Sequence, residues 1–122
     1  METKNLGDFG EEQAARYLRR RGYRIVERNF RCRQGEIDII AARRDVLAFV
    51  EVKLRRDARF AEAREFVTAA KQRRILTAAQ LYLAQSGSER QPRFDVIEVY
   101  APEGTDTRRP AIRHLENAYS CE

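Results

Sequence analysis

Apolar and polar positions recur at two different periods along this chain, and each change of period marks an element. Phe9, Ala14, Tyr17 and Leu18 form a rough helical stripe over residues 8–21, with Asp8 placed to cap it and Gly22 to stop it. Residues 23–30 then read as a strand carrying Tyr23, Ile25 and Val26, and 31–35 as a polar turn. Two apolar runs at 36–42 and 46–54 predict a second and third strand, joined tightly by Arg43-Arg44-Asp45. Residues 55–64 are charged and irregular around a lone Phe60, as in a mobile loop or a fraying helix start. Val67, Ile75, Leu76, Ala79, Tyr82 and Leu83 fall on one face of a helix over 68–85, ended by Ser86-Gly87. A fourth strand covers 94–100. Two prolines and a glycine make 101–110 a loop, and 111–122 reads as a short strand or a helical tail.

Helix, three strands, helix, strand and tail add up to an α/β domain, a mixed sheet flanked by helices. Strands two and three are expected to be antiparallel neighbours, because so short a connection permits nothing else. At 122 residues, without internal repeat or linker, the chain is expected to form a single domain over 1–122.

The third strand is expected to put Leu47, Phe49, Glu51 and Lys53 on one face and Val46, Ala48, Val50 and Val52 on the other. Asp38, Glu51 and Lys53 are therefore out of place, since they interrupt runs that should be core and a buried unpaired charge is costly. If Arg44 and Asp45 are the two loop residues, paired positions place Asp38 opposite Glu51, with Cβ atoms roughly 4.5–5.5 Å apart. Like charges so placed need neutralising. A divalent cation answers that need, and oxygen-only ligands point to Mg²⁺, with Mn²⁺ as a substitute. The competing reading is a solvated sheet face on which the two acids pair with Lys53 and arginines. Leu47 and Phe49 on the same face weigh against it.

Charge and composition narrow the partners. Net charge is +5, and 35% of residues are charged. Eight arginines (16, 19, 20, 21, 24, 28, 31 and 33) fall between Arg16 and Arg33 against the single acid Glu27. That run suits a polyanion, because guanidinium groups pair bidentately with phosphate; a solvated surface in an arginine-rich protein is the bland alternative. One histidine, His114, argues against multi-histidine metal sites and a Ser-His-Asp triad. Cys32 and Cys121 are far apart and form no CxxC pair, so neither a disulfide nor a zinc site is expected. No apolar run is long enough to span a membrane, and the first residues lack the apolar core of a signal peptide, so no membrane association and a cytoplasmic location are expected.

Asp38, a twelve-residue gap, then Glu51-x-Lys53 resembles the signature of the PD-(D/E)XK nuclease superfamily. Several motifs together are similar to the YraN family of bacterial proteins: Gly10-Glu11-x-x-Ala14, Gly22-Tyr23, Asn29, Gly35-Glu36-Ile37-Asp38, Phe49-Val50-Glu51-Val52-Lys53, Lys71-Gln72, Arg93-Phe94-Asp95-Val96 and His114-Leu115-Glu116-Asn117-Ala118. The match covers nearly the whole chain. That family resembles archaeal Holliday junction resolvases in fold. The resemblance implies a restriction-endonuclease-like fold and a metal-dependent DNA endonuclease, acting by phosphodiester hydrolysis on DNA that includes branched forms. It implies Asp38 and Glu51 as metal ligands, the Val52 carbonyl as a third oxygen, and Lys53 as the residue that orients or activates water. Ile37 stands where the superfamily has proline, a change of backbone shape rather than of ligands. Glu36 is an extra carboxylate beside it: an added ligand, a substrate contact or a strand-end charge.

Glu11 resembles the glutamate that junction resolvases add to the metal site, but Asp8-x-x-Glu11 also has capping-box spacing. Lys71, Gln72 and Arg74 open the second helix and would position phosphate, or simply form its polar face. Arg16, Arg20, Arg33 and Arg55 complete the nucleic-acid contacts implied, directed at shape and phosphate rather than base sequence. Asn29 and Asp95 read as structural hydrogen-bonding residues and His114 as tail packing. By analogy with junction cutting, a symmetric homodimer is expected. Two rival functions stand beside the nuclease: a non-catalytic nucleic-acid-binding module on the same fold, and a protein adaptor using the basic first helix.

Overall fold

The computed structural model describes residues 3–56 and 68–119. The elements are α1 (Thr3–Arg20), β1 (Arg24–Arg31), β2 (Glu36–Arg43), β3 (Val46–Arg55), α2 (Ala69–Ser86), β4 (Gln91–Tyr100) and β5 (Ala111–Leu115), with a 3₁₀ turn at Gly104–Asp106 before β5. Most of the irregular stretch at 55–64 lies outside the described residues, as does Cys121.

The five strands form one sheet in chain order, β1-β2-β3-β4-β5. The β3–β4 pair is parallel and the other three are antiparallel. Parallel neighbours need a crossover, and α2 lies between them in the chain. The β2–β3 register follows from the two-residue loop: Arg43 faces Val46 and Ile39 faces Val50, the pairing expected from the sequence. Arg44 absorbs the reversal with a left-handed backbone, φ 55°.

Each face of the sheet carries its own core. On one side Ile37, Ile40, Leu47, Phe49, Phe94 and Val96 pack with Ile75, Ala78 and Ala79 of α2. On the other, Ile39, Ala48, Val50, Ile97 and Val99 pack with Ala14, Ala15 and Leu18 of α1. The alternation of Leu47 and Phe49 against Ala48 and Val50 is as the period of two requires. Each large buried side chain contributes about 1.5–3 kcal/mol. This mixed α/β sheet flanked by helices is consistent with a restriction-endonuclease-like fold.

Helix ends follow local chemistry where the sequence is explicit. Gly22 sits just past α1 at φ 91°, and Tyr23 N donates to Leu18 O at 2.9 Å, a Schellman closure. Thr68 caps α2 by accepting from Lys71 N at 3.2 Å, and Gly87 closes it at φ 65°. The start of α1 departs from expectation. The helix begins at Thr3, so Asp8 is an interior residue and not its cap. Leu6 near the 3₁₀ turn explains the extension: a Cβ on Gly104 would lie 3.4 Å from Leu6 Cδ2. Packing Leu6 against that turn outweighs the capping signal of Asp8.

The tail resolves into a strand, β5, which pairs with Val96–Tyr100 of β4. β4 itself starts three residues earlier than the sequence suggests and runs through Pro92. Proline is tolerated there because β5 does not pair with that part of β4.

Candidate active site: a carboxylate cavity beside the central strands

The β2–β3 ladder stops at Ile39–Val50, one residue short of Asp38 and Glu51. Beyond it, the Val52 N–H donates to Asp38 Oδ2 at 2.8 Å, so a side chain replaces the backbone partner that the ladder no longer provides. The regular alternation of β2 also breaks here, since Ile37 and Ile40 enter the same core while Ile39 enters the other. A cavity of about 450 Å³ lies at this point, lined by Glu11, Asp38, Glu51, Val52, Lys53 and Lys71, with Leu6, Gly7, Gly10 and Leu54 as apolar wall. The α1, β2, β3 and α2 elements each contribute.

Glu51 is 6% exposed. The Lys71 ammonium donates to its Oε2, and Lys53 Nζ lies 3.6 Å from the same oxygen. Asp38 is held up to about 7, first by burial and then by the charge of Glu51, against the pull of the Val52 N–H. Burial also raises Glu11, opposed by a hydrogen bond from Asn29 Nδ2 at 3.0 Å. Burial lowers Lys53, Glu51 works against that, and neighbouring Lys71 adds to it. Burial acts to lower Lys71 too, but its bond to Glu51 carries the net shift upward.

Glu11 reaches this cavity from the middle of α1, so the capping-box reading of Asp8 and Glu11 fails with the longer helix. Its side chain is 14% exposed and its partners are Asn29 and, at 3.9 Å, Arg28. The donor set of carboxylates and the Val52 carbonyl has the hard oxygen chemistry that suits Mg²⁺ or Mn²⁺. Among the described residues no three acidic, histidine or cysteine side chains converge closely enough to form a metal cluster. The carboxylates share one cavity, and lysines occupy the Glu51 oxygen.

The arginines assigned to nucleic acid do not gather here. Arg55 lies against the buried Glu98, Nε to Oε2 3.3 Å, and that carboxylate also draws Arg113 to 3.7 Å. Arg16 bonds Glu12 at 3.1 Å. Arg20 and Arg33 are exposed on α1 and on the β1–β2 turn. Arg74 faces a separate surface hollow with Gln34 and Arg73, and Gln72 lines an apolar cavity with Val96, Leu115 and Tyr119. The basic run is also partly neutralised: Glu12 takes Arg28 at 2.9 Å and Glu36 takes Arg31 at 2.8 Å. Glu36 is thereby a strand-end ion pair.

Asn29 is a hydrogen-bonding residue as expected, and the group it holds is Glu11 at the cavity, from a backbone with φ of 54°. That its partner is Glu11 carries no periodic signal along the chain, since the two residues meet only when β1 packs on α1. Asp95 is structural as expected. It accepts from Arg93 at 2.9 and 2.8 Å and from Asn117 N at 3.0 Å, and meets His114 Nε2 at 2.8 Å. His114 is packed, as expected, with its side chain 6% exposed.

No helix among the described residues is long and apolar enough to cross a membrane. The sequence pattern of the uncharacterised protein family UPF0102 matches residues 10–99. A UPF0102 protein of Symbiobacterium thermophilum is 50% identical over 119 residues, covering 96% of this chain and 98% of that one. Similar proteins occur in Caldanaerobacter subterraneus subsp. tengcongensis, 44% identical over 118 residues with 95% of each chain covered, and in Nocardia farcinica, 49% identical over 115 residues with 93% and 88% covered. With the family pattern spanning most of its length and relatives of this identity matching nearly end to end, the chain belongs to the UPF0102 family, the YraN-like proteins its motifs resemble.

Proposed function

We propose that this protein is a metal-dependent DNA endonuclease whose active site is the carboxylate cavity. The observation that carries the reading is the sharing of one cavity by Glu11, Asp38, Glu51, Lys53 and Lys71, drawn from four elements. A structural role does not need three acids and two lysines held half-buried together, because desolvating them costs several kcal/mol per ion before pairing offsets it.

Asp38, Glu51 and the Val52 carbonyl would hold Mg²⁺ or Mn²⁺, with Glu11 completing the oxygen set. When bound, such an ion supplies Lewis-acid polarisation of a phosphodiester and a more acidic water. Lys53 then faces the reacting phosphate, where its ammonium stabilises developing negative charge or holds the attacking water. Lys71 neutralises Glu51 before substrate arrives and pairs with phosphate afterwards. The Val52 N–H fixes the Asp38 carboxylate in one orientation, which keeps its second oxygen for the cavity.

The direct test is cleavage of a labelled four-way DNA junction and of linear duplex in Mn²⁺, in the cytoplasmic pH range, by wild type and Asp38→Ala. Cuts made by wild type and lost in the variant support the reading. A divalent ion that neither binds nor stabilises the protein, together with unchanged activity in the variant, refutes it. Cutting both strands of a junction would call for a symmetric pair of copies, which sedimentation on that DNA would detect.

The Lys71–Glu51 contact favours a second reading, a nucleic-acid-binding module in which an ammonium has taken over the cation's place. That protein would bind DNA with an affinity falling steeply in salt and make no cuts in either metal.

A further inference from the structure

A second polar cavity, of about 370 Å³, lies beside the C-terminal end of α1 and the Arg43 end of β2. Its walls are Tyr17 and Arg21 from α1, Tyr23 before β1, Arg43 at the end of β2, and His114 with Glu116 from the β5 region. Glu11 faces the first cavity and Arg21 this one. The two backbone positions are ten residues apart, roughly 15 Å of helical rise, and the cavities share no lining residue, so the two are distinct sites.

The cavity is built around two guanidinium groups seated on aromatic rings. Arg43 Cζ lies 4.6 Å from the Tyr23 ring centre, and Arg21 Cζ lies 5.2 Å from that of Tyr17. Arg43 also donates from Nη1 to the Arg21 carbonyl at 2.9 Å, which ties the two sides together. The rings beneath are themselves anchored. Tyr17 Oη meets His114 Nδ1 at 3.2 Å, His114 Nε2 meets Asp95, and Tyr23 Oη accepts from Arg93. Ion pairing elsewhere in the described chain leaves these two arginines out: none of the salt bridges that engage Arg16, Arg28, Arg31, Arg55, Arg93 or Arg113 includes Arg21 or Arg43. Glu116 stands at the rim, 53% exposed, and its cation within reach is Arg93 at 3.9 Å.

We infer that this cavity is a phosphate-binding site. Two oriented guanidinium forks that pair with no carboxylate among the described residues suit a tetrahedral oxyanion, which they grip bidentately. Stacking on tyrosine presets each fork, so little side-chain entropy is lost on binding. The polar walls do not suit an apolar ligand, and the volume is at the lower end of the range for small-molecule sites. The phosphate comes from a small monoester or from a nucleic-acid strand. The inference does not depend on metal binding or on cleavage at the carboxylate site.

His114 is the only histidine in the chain, so its ring protons give a single resolved reporter beside the cavity. The experiment follows that NMR signal during titration with inorganic phosphate, and separately with a short 5′-phosphorylated oligonucleotide, each against chloride at matched ionic strength. The variants are Arg21→Gln and Arg43→Gln, with Arg19→Gln as a charge-matched control on the same helix. The expected result is a saturable shift whose affinity falls by about tenfold or more in each cavity variant, as loss of a charge-assisted hydrogen bond predicts, and holds in the control. Saturation by inorganic phosphate identifies a free phosphate group as sufficient. Saturation by the oligonucleotide alone identifies a strand as the source. Failure of both ligands to saturate, or equal affinity in wild type and Arg21→Gln, overturns the inference; Arg21 is exposed, so that variant keeps its fold.

Discussion

Asp38 is the residue on which the electrostatics of the carboxylate cavity turn. Its carboxyl is held up to about 7, above its ordinary 3.8, by burial and then by Glu51. A raised folded-state value means that the neutral acid fits the fold better than the anion. The stability this confers is complete below about pH 4 and is lost as pH rises towards 7 and beyond. Asp38→Asn keeps an acceptor for the Val52 N–H without the charge. It is therefore expected to stabilise the protein at pH 8 by about 1–3 kcal/mol, and by less at pH 5. Urea unfolding at the two pH values checks this, and an equal effect at both would contradict it. Lys71 makes the complementary case. Its ammonium sits on Glu51, so it competes with any other cation for that oxygen. Lys71→Gln is expected to tighten Mn²⁺ binding several-fold in a calorimetric titration, and Glu51→Gln to abolish it. Weaker Mn²⁺ binding in Lys71→Gln would remove the competition argument.

Elements explain why single glycines and strand ends matter. The β1–β2 turn lies against α2, and a Cβ on Gly35 would come within 3.0 Å of the Arg74 carbonyl oxygen. That atom is helix backbone and cannot swing aside. Gly35→Ala is therefore expected to cost about 1–3 kcal/mol by overpacking, although an alanine elsewhere in a turn is often harmless. Thermal unfolding measures it, and an unchanged midpoint would mean that the turn moves freely from α2. The β2–β3 register was legible because a two-residue loop fixes pairing and the faces of Leu47, Phe49, Ala48 and Val50 fix phase. The start of α1 was not legible. Asp8 carries the local signal for a boundary, and Leu6 overrides it by packing near Gly104, nearly a hundred residues away in the chain.

At the scale of the whole molecule, Asp95 ties remote parts together. It is fully buried on β4, and it binds Arg93 beside it, His114 of β5, and the backbone beyond β5. Through His114 the network reaches Tyr17 on α1. Burial would raise this carboxyl, but His114, Arg93 and the Asn117 N–H outweigh burial and hold it below the usual range. The stability it provides is present above its ordinary value near 3.8 and is lost as pH falls below that. Asp95→Ala removes the buried carboxylate that pairs with half-buried Arg93 and leaves the His114 ring nitrogen and the Asn117 N–H without their partner, so it is expected to cost about 3–5 kcal/mol at neutral pH, narrowing as the medium becomes acidic. Denaturant unfolding of wild type and variant at pH 7 and 3.5 tests both the size and the direction.

The number and type of most elements, the β2–β3 register, the two sheet faces and the odd placement of Asp38, Glu51 and Lys53 are all legible along the chain. These follow from periodicity, turn length and the cost of burying charge, which act between near neighbours. Tertiary structure decided which charges meet. It sent Arg28 to Glu12 and Arg31 to Glu36, so a run that reads as strongly basic is partly neutralised by acids from other elements, and it sent Arg55 to the buried Glu98. It brought Glu11 and Lys71 to Asp38 and Glu51, and set Arg21 and Arg43 on tyrosine rings around a second cavity. Electrostatic partners depend on distance through space, and that distance is fixed only when α1, α2 and the sheet have packed.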